Sequence, residues 1–124
     1  MTLRAATVSR GLLVALLTVG LALSLRPLAP GAGPENWFAG ADKVFHALFF
    51  AALWCLGVRS RLGLGGWLAA ALLLFGAAME LAQGAFTASR SASIADLAAD
   101  AAGLLLGFVL TRWALFGQPK EDGR

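Results

Sequence analysis

Charge is scarce in this sequence. Only 14% of its 124 residues are Asp, Glu, Lys or Arg, against 59% that are hydrophobic, a balance outside what a soluble domain of this size uses. A single cysteine, Cys55, excludes an internal disulfide and any multi-cysteine metal site, and its plain reading is a small buried apolar residue. The ten basic residues are scattered singly, so a net charge of +3 and a pI near 10.0 make no stripe of the kind that tracks nucleic acid. No fixed-period repeat, nucleophile motif, phosphate loop or full metal-binding signature is present. The composition predicts one all-α membrane domain over residues 1–124, in contact with a lipid bilayer.

What the sequence does contain is apolar runs with loop chemistry between them. Gly11 to Leu25 is uncharged and flanked by Arg10 and Arg26. A signal peptide has the same outline, but the following Leu28-Ala29-Pro30-Gly31-Ala32-Gly33 offers no clean Ala-x-Ala site and carries proline where cleavage would fall. The run is therefore read as a first helix over about residues 8–25, with arginines snorkelling at both ends. Residues 26–40 hold three of the four prolines and read as a loop, with Trp37 and Phe38 suited to an interface. Further helices are predicted over 42–58, 66–85 and 94–116. The short glycine-rich link between the second and third makes them antiparallel neighbours. A polar link, Thr87 to Ser93, precedes the fourth, and a charged tail follows it.

Counting basic residues sets an expected orientation. With a cytoplasmic N-terminus, Arg4, Arg10, Arg59, Arg61, Arg112, Lys120 and Arg124 lie inside, and Arg26, Lys43 and Arg90 outside, seven against three. Both termini of this four-helix bundle are then cytoplasmic, and Trp54, Trp67 and Trp113 fall near the cytoplasmic interface. Asp42, Lys43, His46, Glu80, Gln83, Arg90, Asp96 and Asp100 fall instead on the extracytoplasmic side, at one depth. Gly76, Glu80 and Gly84 share a face of the third helix, and Asp96, Asp100, Gly103 and Gly107 a face of the fourth. Small residues four apart allow close backbone approach, so the carboxylates are expected to point into the bundle and to converge.

Each of these residues also has a plainer reading. Asp42 has the position of an N-cap, and Ser93 with Asp96 has capping-box spacing. His46 serves equally as hydrogen-bonded packing, and Lys43 and Arg90 as interfacial anchors. Glu80 and Asp100 are not explained by capping. An intramembrane carboxylate costs several kcal/mol, on the order of 3 or more, unless paired, protonated or solvated. Converging carboxylates have to share protons or recruit a cation, from Lys43, Arg90 or a divalent metal.

The set Asp42-Lys43-x-x-His46, Glu80-x-x-Gln83, Arg90 and Asp96-x-x-Ala99-Asp100-x-x-Gly103 resembles the VanZ-like family, small polytopic membrane proteins named for a teicoplanin-resistance determinant. The resemblance spans about residues 41–110 and rests on the order and spacing of four short motifs. The family's pattern has Asn where this chain has Asp100, so the chain adds a carboxylate there. The resemblance implies a multi-pass protein of a bacterial cytoplasmic or inner membrane, associated with the cell envelope and linked to glycopeptide susceptibility. It supplies no reaction.

Two functions fit the residues. One is binding of a lipid or cell-wall precursor headgroup, with Lys43, Gln83, Arg90, Asp96 and Asp100 as ligand contacts. The other is hydrolysis or transfer at such a headgroup. In that case His46 held by Asp42 is the base, Glu80 or Asp100 the acid or a metal ligand, and Lys43 with Arg90 the clamp on a phosphate. No cofactor is evident beyond a possible divalent metal.

Overall fold

The structure, a computed structural model, describes residues 2–62, 66–87 and 92–117. Arg90, the centre of the second link (63–65), most of the third (88–91) and the charged tail from residue 118 lie outside the described residues. The described chain is helical, with four long helices: α1 (Leu3–Leu25), α2 (Ala41–Arg59), α3 (Trp67–Phe86) and α4 (Ile94–Phe116). All four are long and apolar enough to cross a membrane.

α1 differs most from the sequence expectation, because it begins at Leu3 rather than near residue 8. Thr2 caps it, its hydroxyl accepting from Ala5 N at 3.2 Å, and no Gly or Pro interrupts residues 3–10. Its 23 residues give about 34 Å of helix, enough to cross the hydrocarbon without snorkelling at both ends. Arg10 instead turns onto the end of α2, where it donates to the carbonyls of Ser60 (2.8 Å) and Arg61 (3.3 Å).

The helices run up and down, and α2 is the central element, touching the other three. Its largest interface is with α4, whereas α1 and α4 do not meet among the described residues. α2 and α4 are parallel and in register along their length: Lys43 meets Asp96, His46 meets Asp100, and Trp54 Nε1 donates to Thr111 Oγ1 at 3.2 Å. Two glycines make this closeness possible. A Cβ on Gly103 would overlap the Ala47 backbone carbonyl, and one on Gly107 would come within 2.9 Å of Ala51 O. This is the small-residue seam expected on that face of α4.

The packed interior is small, with Phe50 and Leu53 of α2 fully buried among Leu13, Leu68, Leu72, Met79 and Leu104. Large apolar side chains such as Leu12, Leu48, Leu74, Leu81, Leu105 and Val109 are exposed around the outside. A four-helix surface of this kind is consistent with a hydrocarbon environment. Since lipid is as apolar as leucine, close packing rather than burial from water holds the helices together.

Candidate functional site

The polar residues gather where α2 and α4 begin and α1 and α3 end. A left-handed Gly40 (φ +80°) turns the chain into α2, and this turn is the N-cap position. Asp42 therefore does not cap α2; it sits inside the first turn, and no side chain caps that helix. Its Oδ2 accepts from Lys43 Nζ at 2.6 Å, and the same ammonium reaches Asp96 Oδ1 at 3.0 Å.

His46 lies one turn deeper. The reading in which Asp42 holds this ring is corrected by the structure, which places Asp100 on it: His46 Nδ1 and Asp100 Oδ1 are 2.6 Å apart. The physical reason is a competition. Adjacent Lys43 captures the Asp42 carboxylate, while the α2–α4 register sets the wholly buried Asp100 opposite the ring. With Asp100 ionised, Nδ1 is the donor in this contact, and Nε2 faces Asp96 Oδ2 at 3.8 Å. Asp100 fits because α3 carries glycine beside it; a Cβ on Gly76 would stand 2.6 Å from Asp100 Oδ2.

α3 contributes Glu80 and Gln83, both buried. Glu80 Oε2 accepts from Ser93 N at 2.8 Å, so it holds the backbone at the entry to α4. Ser93 is the N-cap of α4, its Oγ accepting from Asp96 N at 3.2 Å, as the capping-box spacing predicts. Asp96 is thus both the capped residue and a partner of Lys43. Two buried oxygens, Glu80 Oε1 and Asp100 Oδ2, have no hydrogen-bond partner among the described residues. One ligand atom each from His46, Glu80 and Asp96 lies within 4.8 Å of the other two, close enough to hold a metal ion. The predicted convergence of α2, α3 and α4 side chains is therefore present.

The sequence reading did not include α1 in the site. Gln83 Nε2 donates to Ser24 O at 3.2 Å, and Ser24 Oγ contacts Met79 Sδ at 3.6 Å, which ties the end of α1 to α3. Ser24 was visible as the one polar side chain in the last two turns of α1. Above these residues opens a cleft of about 590 Å³. Arg26, Lys43, His46 and Gln83 are among its polar lining residues, and Leu23, Leu28, Phe45 and Phe49 among its apolar ones. Glu35, Asp42 and Asp96 also reach its wall. Comparison with protein-family models, with curated proteins and with solved structures returns no match for this chain.

Proposed function

We propose that this chain is a VanZ-like integral membrane protein of the cell envelope whose cleft binds the anionic headgroup of a lipid or lipid-linked cell-wall precursor. The observation that carries this reading is a cleft lined by basic and apolar side chains together. Arg26 and Lys43 are among its lining residues, and Leu23, Leu28, Phe45 and Phe49, which also line it, suit the first carbons of an acyl or prenyl chain. Arg26 makes no ion pair among the described residues, so its guanidinium is available to a phosphate. The four sequence motifs that resemble the VanZ-like family support the placement in the envelope and a link to glycopeptide susceptibility.

The count of basic residues along the sequence, seven in the segments assigned to one side against three in those assigned to the other, supports a cytoplasmic N-terminus and an extracytoplasmic cleft. In a Cys55→Ser background, a membrane-impermeant thiol reagent should label Asn36→Cys in intact cells and spare Leu62→Cys, two positions that are both exposed. The reverse pattern would invert the orientation.

The occupant is read by mass spectrometry of lipid co-purifying with the detergent-solubilised protein. An anionic lipid retained by the unaltered chain and lost from Arg26→Gln/Lys43→Met is the expected result. Equal recovery of zwitterionic and anionic lipid from both would refute the headgroup assignment. One observation favours a second reading, an intramembrane hydrolase or transferase: the short His46–Asp100 contact is the arrangement of a base with its orienting carboxylate. In that reading Asp100 takes the orienting role expected of Asp42, and Glu80 is the acid or a metal ligand. Turnover of the bound lipid that disappears in His46→Gln, with binding retained, selects it.

A further inference from the structure

We propose that His46, Glu80 and Asp96 form a divalent metal site of the zinc class, with Asp100 as the positioning residue for His46. The site stands on these side chains alone and does not depend on the headgroup reading.

The three groups come from three different helices, and one ligand atom of each lies within 4.8 Å of the other two. A tetrahedral Zn²⁺ with bonds of about 2.0–2.1 Å holds its ligand atoms about 3.3 Å apart, so the atoms need close by about 1.5 Å at most. The His46 ring is set as metal-bound imidazoles are set. Its Nδ1 is engaged by Asp100 Oδ1 at 2.6 Å, and in a neutral ring donating there the lone pair is on Nε2, 3.8 Å from Asp96 Oδ2. Lys43 occupies the other Asp96 oxygen at 3.0 Å and so fixes that carboxylate too.

Glu80 supplies an independent observation. It is 5% exposed, its Oε2 is taken by Ser93 N, and its Oε1 has no partner among the described residues. A buried carboxylate with a bare oxygen calls for a proton, an ordered water or a cation. Lys43 is committed to Asp42 and Asp96 and does not reach it. A divalent ion satisfies that oxygen and offsets the charge of the two ligating carboxylates in a low-dielectric place. One imidazole nitrogen with two carboxylate oxygens, and no thiolate, suits Zn²⁺ and its first-row neighbours better than Mg²⁺ or Ca²⁺, which take oxygen ligands. His46 and Asp96 line the cleft and Glu80 does not, so a fourth ligand, water or a phosphate oxygen, would arrive from the cleft side.

The test uses the full chain in detergent, stripped with chelator and titrated with Zn²⁺ alone. About one Zn²⁺ per chain is expected, with a raised thermal aggregation midpoint. His46→Gln, Glu80→Gln and Asp96→Asn should each abolish stoichiometric binding, and Cys55→Ser should retain it. Asp100→Asn should keep the stoichiometry but weaken affinity by about 10- to 100-fold, as expected for a group that acts through the ring. An unaltered chain that binds no Zn²⁺, or binding that survives all three ligand substitutions, overturns the site. If a variant does not fold, the zinc-dependent midpoint of the unaltered chain still decides, because its absence also overturns the site. A chain that retains anionic lipid but takes no Zn²⁺ removes the metal site and leaves the headgroup reading standing.

Discussion

At the end of the bundle where α1 begins and α2 and α4 stop, polar side chains serve the backbone. Arg10 donates to the Ser60 and Arg61 carbonyls, Ser60 Oγ to Leu56 O, and Thr111 Oγ1 to the carbonyls of Gly107 and Phe108 while accepting from Trp54. At the opposite end the polar side chains mostly address one another: Lys43 with Asp42 and Asp96, His46 with Asp100, and Glu80 reaching the entry to α4. There two carboxylate oxygens are buried without a described partner. The first end is what a fold needs in order to finish its helices. The second holds more acid than capping needs, and buried acid without a partner among the described residues is a reason to look for function there.

The comparison breaks most sharply where both ends depend on one seam. Gly103→Leu forces a side chain into the Ala47 backbone, which cannot yield as a flexible side chain would. A loss of about 3 kcal/mol or more is expected, with α2 and α4 separating and the cleft lost with them. The measurement is the thermal aggregation midpoint in detergent. A variant as stable as the parent would show that the α2–α4 contact is not what holds the bundle.

Next in size is the His46–Asp100 pair. His46→Leu leaves the wholly buried Asp100 with neither oxygen engaged, and a cost of about 3 kcal/mol is expected. Adding Asp100→Leu removes the stranded carboxylate and should restore most of the loss. Were the double variant no better than the single, the ring rather than the charge would be the stabilising element. At the other end Arg10→Ala has a smaller expected cost, about 1 kcal/mol, because it leaves two neutral carbonyls rather than a stranded charge. An equal or larger loss there than for His46→Leu would erase the distinction between the ends.

The helices were largely legible in the sequence because their stops are written locally. Pro27 and Pro30 follow the end of α1, Ser93 caps α4, and α2 and α3 lie within one residue of the expected 42–58 and 66–85. α1 was underestimated because its N-terminal turns carry Arg4 and Arg10, and a count of uncharged residues stops at the first arginine it meets. The convergence of Asp42, His46, Glu80, Asp96 and Asp100 was legible from helical spacing and the placement of glycine. The choice of partner was not. Asp42 and Asp100 are both compatible with His46 in sequence, and the register between α2 and α4, fixed by Gly103 and Gly107 against Ala47 and Ala51, decides for Asp100. Ser24 was missed for the same reason, since its role exists only once α1 lies against Met79 and Gln83.

The smallest expected change in stability is at Glu80, and it separates the two accounts of the acidic end. In zinc-free protein, Glu80→Gln keeps a carbonyl oxygen to accept from Ser93 N, and its amide replaces the oxygen that has no described partner. If the Glu80 charge is not needed for folding, the aggregation midpoint should move by no more than about 0.5 kcal/mol of stability, the range of a near-isosteric change. Binding or processing of the headgroup should nonetheless be lost. If instead Glu80 is the ionised partner of a buried cation, with Arg90 the candidate from the sequence, the amide strands that cation and costs about 3 kcal/mol. Glu80→Leu sharpens the result, because removing an acid from a span favours insertion while also removing the acceptor for Ser93 N. An inserted, stable and inactive Glu80→Gln protein supports a functional carboxylate. A protein that stays active, or that loses activity only by failing to fold, makes Glu80 a structural residue like those at the other end.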